Sequence, residues 1–142
     1  MHLVIAPPTV GIDRQRMVKV GNYESGSNFS IQAVTGWASD LTYPSVVVSH
    51  RLVVAGAGAA TVTAVLDSQT NDAAKVGAIK LTHNDTIIAT GDLSAYNDRK
   101  ILTITVSDVT VAEGDTIWLQ SHTGSAVGSR IFAGSYLEVA ST

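Results

Sequence analysis

The chain contains no cysteine, which excludes disulfide frameworks, thiolate metal sites and cysteine nucleophiles together. It also has little charge. Only 15% of its 142 residues are charged, against about 25% in typical soluble domains. Two interpretations of the low charge stay open: a surface rich in Thr, Ser and Asn, or a surface partly covered by other subunits. The nine Lys and Arg residues are scattered and the net charge is −3. The basic stripe that nucleic-acid binding requires is missing, and no nucleic-acid partner is expected.

Long apolar runs are absent as well. The longest apolar stretches, such as residues 52–60, are far shorter than the roughly 20 residues that a membrane-spanning helix needs. The first residues show neither a basic segment nor a long apolar segment of the kind that secretory signals carry. We therefore expect no signal peptide and no membrane insertion.

Recognisable catalytic and metal-binding patterns are missing too. The four histidines do not follow the i, i+2 or i, i+4 spacings that bring metal ligands together. No Gly-x-Ser-x-Gly motif marks a nucleophilic serine. The carboxylates that could be paired for catalysis fall in turn signals, where Asp caps its own turn; they are Asp92, Asp98, Asp108, Glu113 and Asp115. The sequence predicts no catalytic residue, no metal, no cofactor and no enzyme activity.

What the sequence does contain is alternation with a period of two. Apolar and polar residues alternate along residues 60–67, 100–107, 115–121 and 131–139. The last of these segments is expected to turn Ile131, Ala133, Leu137 and Val139 toward the core. Such alternation is typical of half-buried antiparallel strands, and the abundant Thr and Val are β-branched residues that suit a pleated sheet.

Turn signals rich in Gly, Asn and Asp separate these segments. Residues 76–90 form the best hairpin candidate, with Asn84 and Asp85 at the turn. About eight to ten strands fit after residue 17, which is the size of a jelly roll. We predict an all-β fold, an antiparallel jelly-roll β-sandwich over residues 17–142, preceded by an extended arm over residues 1–16.

The arm hypothesis depends on two features of residues 1–16. Pro7 and Pro8 force an extended backbone, and Leu3, Val4 and Ile5 are too apolar to favour water. We expect these five residues to dock on another surface. A frayed terminus is the alternative.

Several segments resemble jelly rolls of the C1q/TNF type. They are VTVAEGDTIWLQ at 109–120, SYLEV at 135–139, LVVAGAG at 52–58, VTGW at 34–37 and NDTIIATG at 84–91. In combination they resemble the small C1q-like modules of actinobacterial tailed phages, which are minor tail or capsid-surface proteins. The resemblance covers roughly residues 17–140. The chain lacks the Gly-X-Y stalk of the soluble animal members, and its first sixteen residues have no counterpart in the pattern.

This resemblance implies a homotrimer in which one sheet of each protomer supplies aromatic residues to the three-fold axis. Trp118, Phe132 and Tyr136 are the candidates for that trimer interface, because the alternation places them opposite the core residues of their strands. The alternative is that these rings cover an outer sheet face beneath loops.

The resulting expectation is a non-enzymatic, trimeric phage virion structural protein at the particle surface, which decorates the capsid or forms part of the tail. Its partners would be its own copies and other virion proteins, namely major capsid or tail proteins. The alternative function is an adhesion module that binds a host-surface glycan or receptor. Trp37, Tyr43 and Tyr96 are the candidate ligand contacts, and ordinary loop anchoring is the competing explanation for these three residues.

Overall fold

The structure, a computed structural model, describes residues 11–24, 31–70, 77–93, 98–123 and 129–142. This part of the chain forms thirteen strands and no helix. The first seven strands are β1 (Gln15–Lys19), β2 (Tyr23–Glu24), β3 (Ile31–Ala33), β4 (Trp37–Ser39), β5 (Val46–Val48), β6 (Arg51–Val53) and β7 (Gly58–Thr70). The remaining strands are β8 (Gly77–His83), β9 (Thr86–Asp92), β10 (Lys100–Val111), β11 (Thr116–Thr123), β12 (Ser129–Ile131) and β13 (Tyr136–Ser141).

The seven-stranded sheet is built around the long strand β7. β10 pairs with one side of β7, with a bulge between Val106 and Val109. β13 and then β12 pair with the other side. From β13 the sheet continues to β1 and β4, and from β12 it continues to β2. Every second residue of β7 from Ala60 to Leu66 is fully buried, so this stretch keeps one face toward the core.

The six-stranded sheet is built around β11. β8 and β9 follow on one side of β11, whereas β6 and β5, together with β3, lie on the other side. β8 and β9 form the predicted hairpin with Asn84 and Asp85 at its turn. Asn84 adopts a positive φ of 52°, which Asn tolerates better than most residues.

The core lies between the inner faces of the two sheets. Its largest fully buried side chains include Met17, Leu52, Leu66, Ile79, Leu81, Ile117, Leu119, Ile131 and Leu137. These residues occupy alternate positions of their strands, and threonines fill many of the intervening positions on β7 and β10. The predicted antiparallel jelly-roll sandwich is confirmed, since two antiparallel sheets share one core.

Two details of the strand prediction are wrong. The described residues contain thirteen strands rather than eight to ten, because several strands have only two or three residues. The predicted strand over residues 131–139 is interrupted between β12 and β13. Gly134 adopts a φ of 90° in that turn, and Ala133 is exposed there instead of facing the core.

The boundary of the arm also differs from the prediction. β1 begins at Gln15, whose buried amide donates to the Ala55 carbonyl oxygen and accepts from the Ala55 nitrogen, both at 2.8 Å. Ile12 is 5% exposed and belongs to the core. Residues 11–16 are therefore part of the jelly roll, and a boundary after residue 16 is too late. The docking candidates Leu3, Val4, Ile5, Pro7 and Pro8 lie outside the described residues.

Candidate functional site

Arginine side chains cover the aromatic rings that the alternation placed away from the core. The guanidinium carbon of Arg51 lies 4.0 Å from the centre of the Trp118 ring. Arg99 lies 3.6 Å from the ring of Phe132. Cation–π contacts of this kind hold a flat cation against the ring face. The Trp118 and Phe132 rings are thereby shielded from water within a single protomer, although Phe132 remains half-buried.

Arg99 is held over Phe132 by a two-pronged ion pair. Its Nε and Nη2 atoms donate to the two carboxylate oxygens of Asp67 at 2.7 and 2.6 Å. These hydrogen bonds lower the pKa of Asp67 below its usual value and raise the pKa of Arg99. The Phe132 backbone nitrogen donates to the Asp67 carbonyl oxygen at 2.8 Å. The end of β7, the start of β10 and the turn after β12 are thus joined at one point.

Arg16 and Glu138 form the second pair. They are register partners on β1 and β13, and the Arg16 Nη2 atom donates to Glu138 at 2.7 Å. The Arg16 guanidinium also lies 4.0 Å from the Tyr136 ring centre. Arg14 approaches the same carboxylate at 3.5 Å and donates to the Tyr43 hydroxyl at 3.3 Å. The pKa of Arg14 is raised first by that hydrogen bond and then by the charge of Glu138.

Between these ion pairs, the outer face of the seven-stranded sheet carries neutral side chains, most of them small. We name it the threonine face and define it by Thr61, Thr63, Val65, Thr103, Thr105 and Tyr136. The strand registers place Thr103, Val65 and Tyr136 side by side, and Thr105 lies next to Thr63 in the adjacent row. The charged groups beside it already form ion pairs, so another protein surface could cover this face without burying an unpaired charge.

The structure brings Phe132 and Tyr136 to the seven-stranded sheet, but it does not bring Trp118 there. Trp118 lies on β11, in the other sheet, and is only 8% exposed. Its indole Nε1 donates to the Asn84 carbonyl oxygen at 2.8 Å. The three candidates for the trimer interface therefore divide between two opposite outer faces of the sandwich.

The candidate ligand contacts also separate. Trp37 is 8% exposed, and its indole Nε1 donates to the Val34 carbonyl oxygen at 2.8 Å. The expectation of an exposed Trp37 ring is wrong, because the ring packs into the core. Tyr43 is half-buried beside Arg14 and Arg16. Tyr96 lies outside the described residues.

A polar cluster joins loops at one end of the sandwich. The His83 Nε2 atom and the Asp115 Oδ2 atom lie 2.8 Å apart, and Asp115 also accepts from the Ala112 nitrogen at 2.9 Å. These bonds lower the pKa of Asp115, with His83 as the main cause. His83 and Asp115 thus join two strand ends, which is a structural role.

Across the described ranges, no group of three or more His, Asp or Glu side chains could hold a metal ion. In the same ranges, no helix is long and apolar enough to cross a membrane.

Sequence reasoning missed the arginines that hold the surface rings. Arg51 has no Asp, Glu, Lys or other Arg nearby in the sequence, Arg99 lies between Asp98 and Lys100, and Arg16 falls within residues 1–16, which were predicted to form the arm. Arg16 and Arg51 occupy outward positions of strands, which was a usable signal, whereas Arg99 lies just before β10. The sequence does not show which ring each arginine contacts, because the contacting residues are far apart along the chain. Arg16 and its ion-pair partner Glu138, for example, are separated by 122 residues.

No family model and no curated protein matches the chain. Among solved structures, Eiger TNF from S. frugiperda is similar with a TM-score of 0.61 and 11% identity, covering 93% of each chain. Murine APRIL at pH 8.5 is similar with a TM-score of 0.60 and 13% identity, covering 91% of this chain and 98% of its own. A likeness at such low identity concerns the fold alone. The chain therefore has a jelly-roll fold like that of these TNF-type domains.

Proposed function

We propose that the protein is a non-enzymatic phage virion structural protein that forms a homotrimer and decorates the capsid surface or forms part of the tail. The observation that carries this proposal is the threonine face. It is a broad strand surface of neutral side chains whose neighbouring charges are already paired. The resemblance of the sequence to C1q-like phage modules supplies the virion context.

A face of this composition is suited to burial against sister copies. Interface cores are depleted in charged residues, and aromatic residues and Arg are enriched there. Tyr136 and Phe132 remain half-buried in one protomer, so further apolar area is available on association. Burying apolar surface contributes about 25 cal/mol per Å². Ile101, 61% exposed on the adjoining outward position of β10, adds to this area.

Attachment to the particle is assigned to the arm. Residues 1–10 precede the body, which begins with the buried Ile12. Ten extended residues reach about 33 Å. Leu3, Val4 and Ile5 would supply apolar contacts to a major capsid or tail protein, while Pro7 and Pro8 keep the connection extended.

Solution mass tests the trimer. Light scattering coupled to size exclusion should return three times the 14.8 kDa chain mass over a tenfold range of concentration. A monomer throughout that range would remove the trimer from the proposal.

Particle incorporation tests the virion role separately. A Leu3→Asp/Ile5→Asp double variant should stay folded and trimeric but should no longer join particles. The conservative Leu3→Val/Ile5→Val variant, which keeps the arm apolar, should incorporate normally. Equal incorporation of both variants would contradict the arm's role. A glycan-array signal that Tyr43→Ala abolishes would instead support the adhesion module, whose candidate Trp37 is buried.

A further inference from the structure

The outer face of the six-stranded sheet collects exposed aliphatic side chains around Trp118. Val46 and Val48 are each 55% exposed, and Ile87 is 46% exposed. All three point away from the core. Val47, between the two valines, packs against the core instead, and Ile87 pairs with Thr82, whose neighbour Leu81 is a core residue.

Val48 and Ile87 belong to a continuous line of five residues across the sheet, which we name the Trp118 row; its members are Val48, Arg51, Trp118, Thr82 and Ile87. Val48 is the register partner of Arg51, and the Arg51 guanidinium lies on the Trp118 ring. Trp118 is the register partner of Thr82, which in turn pairs with Ile87. With strands about 4.8 Å apart, the row spans about 19 Å, which matches an extended segment of about six residues.

Arg51 differs from every other arginine of the chain. Arg14, Arg16, Arg99 and Arg130 each have a carboxylate oxygen within 3.5 Å. Among the described residues, none lies within 4.0 Å of the Arg51 guanidinium. Lys80, on the outward side of β8, likewise has no carboxylate partner in these ranges. This face therefore offers cationic donors beside apolar area, and a carboxylate would complement them.

A saccharide is a poor match for the row. Sugar rings stack on open aromatic faces, whereas one face of Trp118 is occupied by Arg51 and only 8% of the residue is exposed. The accessible apolar surface is aliphatic and spread along a line. Trp and Arg, which lie together at the centre of this line, are among the residue types enriched in interface hot spots.

From this arrangement we infer that the Trp118 row binds a segment of a second protein that carries an Asp or Glu side chain flanked by aliphatic residues. The carboxylate pairs with Arg51, and the aliphatic residues cover Val48 and Ile87. This interaction surface is separate from the threonine face, which lies on the other sheet, and it does not depend on trimer formation or on a virion context.

A random twelve-residue peptide display library is the probe. Selection on the wild-type protein should enrich peptides with Asp or Glu next to Leu, Ile or Val. A synthetic peptide of the enriched consensus should shift the Trp118 indole resonance in a ¹H–¹⁵N spectrum, assigned with a Trp118→Phe variant. Changing the peptide's acid to its amide should weaken binding by about tenfold, the scale expected for one charged contact at a partly desolvated site. This peptide change leaves the protein untouched, so it remains decisive even if a protein variant folds poorly.

The matched variants are Arg51→Glu and Arg130→Glu. Arg51→Glu should redirect selection toward Lys- and Arg-bearing peptides. Arg130→Glu, on the other sheet, should leave the selected consensus unchanged. The proposal is overturned if selection yields no acidic bias, if acid and amide peptides bind equally, or if Arg51→Glu keeps the wild-type consensus. Binding of oligogalacturonate at Trp118 without peptide enrichment would also overturn it, in favour of an acidic saccharide.

Discussion

The imidazole Nε2 of His83 lies 2.8 Å from the Oδ2 atom of Asp115. This contact ties the end of β8 to the turn that leads into β11. Asp115 side-chain exposure is 22%, so solvent screens the pair only in part. Because the folded-state pKa of Asp115 is lowered, its stabilising contribution is present above the ordinary carboxyl value of 3.8. The contribution is lost as the pH falls through the lower folded pKa.

We therefore expect Asp115→Ala to reduce the free energy of unfolding by about 1–2 kcal/mol at pH 7. The difference from wild type should shrink toward zero as the pH falls below 3.8, because the wild-type carboxyl then becomes protonated. Urea unfolding at pH 7, 5 and 3 measures the difference. Asp85→Ala, in the exposed hairpin turn, is the control and should have little effect. An equal difference in unfolding free energy between wild type and Asp115→Ala at all three pH values would contradict the electrostatic explanation.

Thr82 provides a second test. Thr82 is 1% exposed, and among the described residues its hydroxyl oxygen has no hydrogen-bond partner. Replacing it with the isosteric Val removes a buried polar atom that gains nothing on folding. Thr82→Val should leave the melting temperature unchanged or raise the unfolding free energy by up to about 1 kcal/mol.

The matched control is Ser121→Ala. The Ser121 hydroxyl is also buried but lies 3.0 Å from the Tyr23 hydroxyl, so its loss should cost about 1–2 kcal/mol. If Thr82→Val destabilised the protein as much as Ser121→Ala does, the Thr82 hydroxyl would have to form a hydrogen bond in the folded protein.

The close approach of the two sheets at one edge gives a third prediction. A β-carbon added at Gly91 would lie 2.9 Å from the Ile104 Cδ1 atom and 3.0 Å from the Leu102 Cδ2 atom. Gly91→Ala should therefore cost about 1–2 kcal/mol through overpacking of β9 against β10. Gly11→Ala, where the added carbon meets nothing within 4 Å, should be nearly neutral. Thermal melts of the two variants would reveal the difference, and equal melting temperatures would count against tight contact at this edge.

The fourth prediction concerns self-association. Thr105→Glu places a charge at an exposed position of the threonine face, where its cross-strand neighbour is the neutral Thr63. A lone carboxylate buried between copies is costly, so light scattering should report monomers at concentrations where the wild type is trimeric. Thr90→Glu, at a position that is also exposed but lies on the other sheet, should remain trimeric. If Thr90→Glu were monomeric and Thr105→Glu trimeric, the trimer contact would instead lie on the six-stranded sheet.

Several features of the fold were predictable because they depend on local patterns. The period of two along β7 and β10 requires one face to be buried, and Asn84 and Asp85 suit the tight turn between β8 and β9. The break between β12 and β13 was not predictable from alternation. Ile131, Leu137 and Val139 keep the same parity across it, so an uninterrupted strand would show the same pattern.

The candidate site was less accessible to sequence reasoning. Alternation correctly placed Phe132, Tyr136 and Trp118 away from the core. It could not say which sheet each strand joins, because strand order depends on long-range pairing. Trp37 illustrates the opposite failure. An aromatic residue between loop-like segments looks exposed, yet its short strand β4 turns the ring into the core.

By itself the sequence determined that this protein is a two-layer β-structure, since residues that alternate between Thr and Val or Ile can bury one side only as strands. The tertiary structure alone decided which arginine covers which ring, and which arginine has no carboxylate partner within the part of the chain that the structure describes. Arg51 and Trp118 become neighbours only when β6 pairs with β11. Such pairings follow from the global arrangement of strands, because the energy of an ion pair or a ring contact depends on distances that no local pattern specifies.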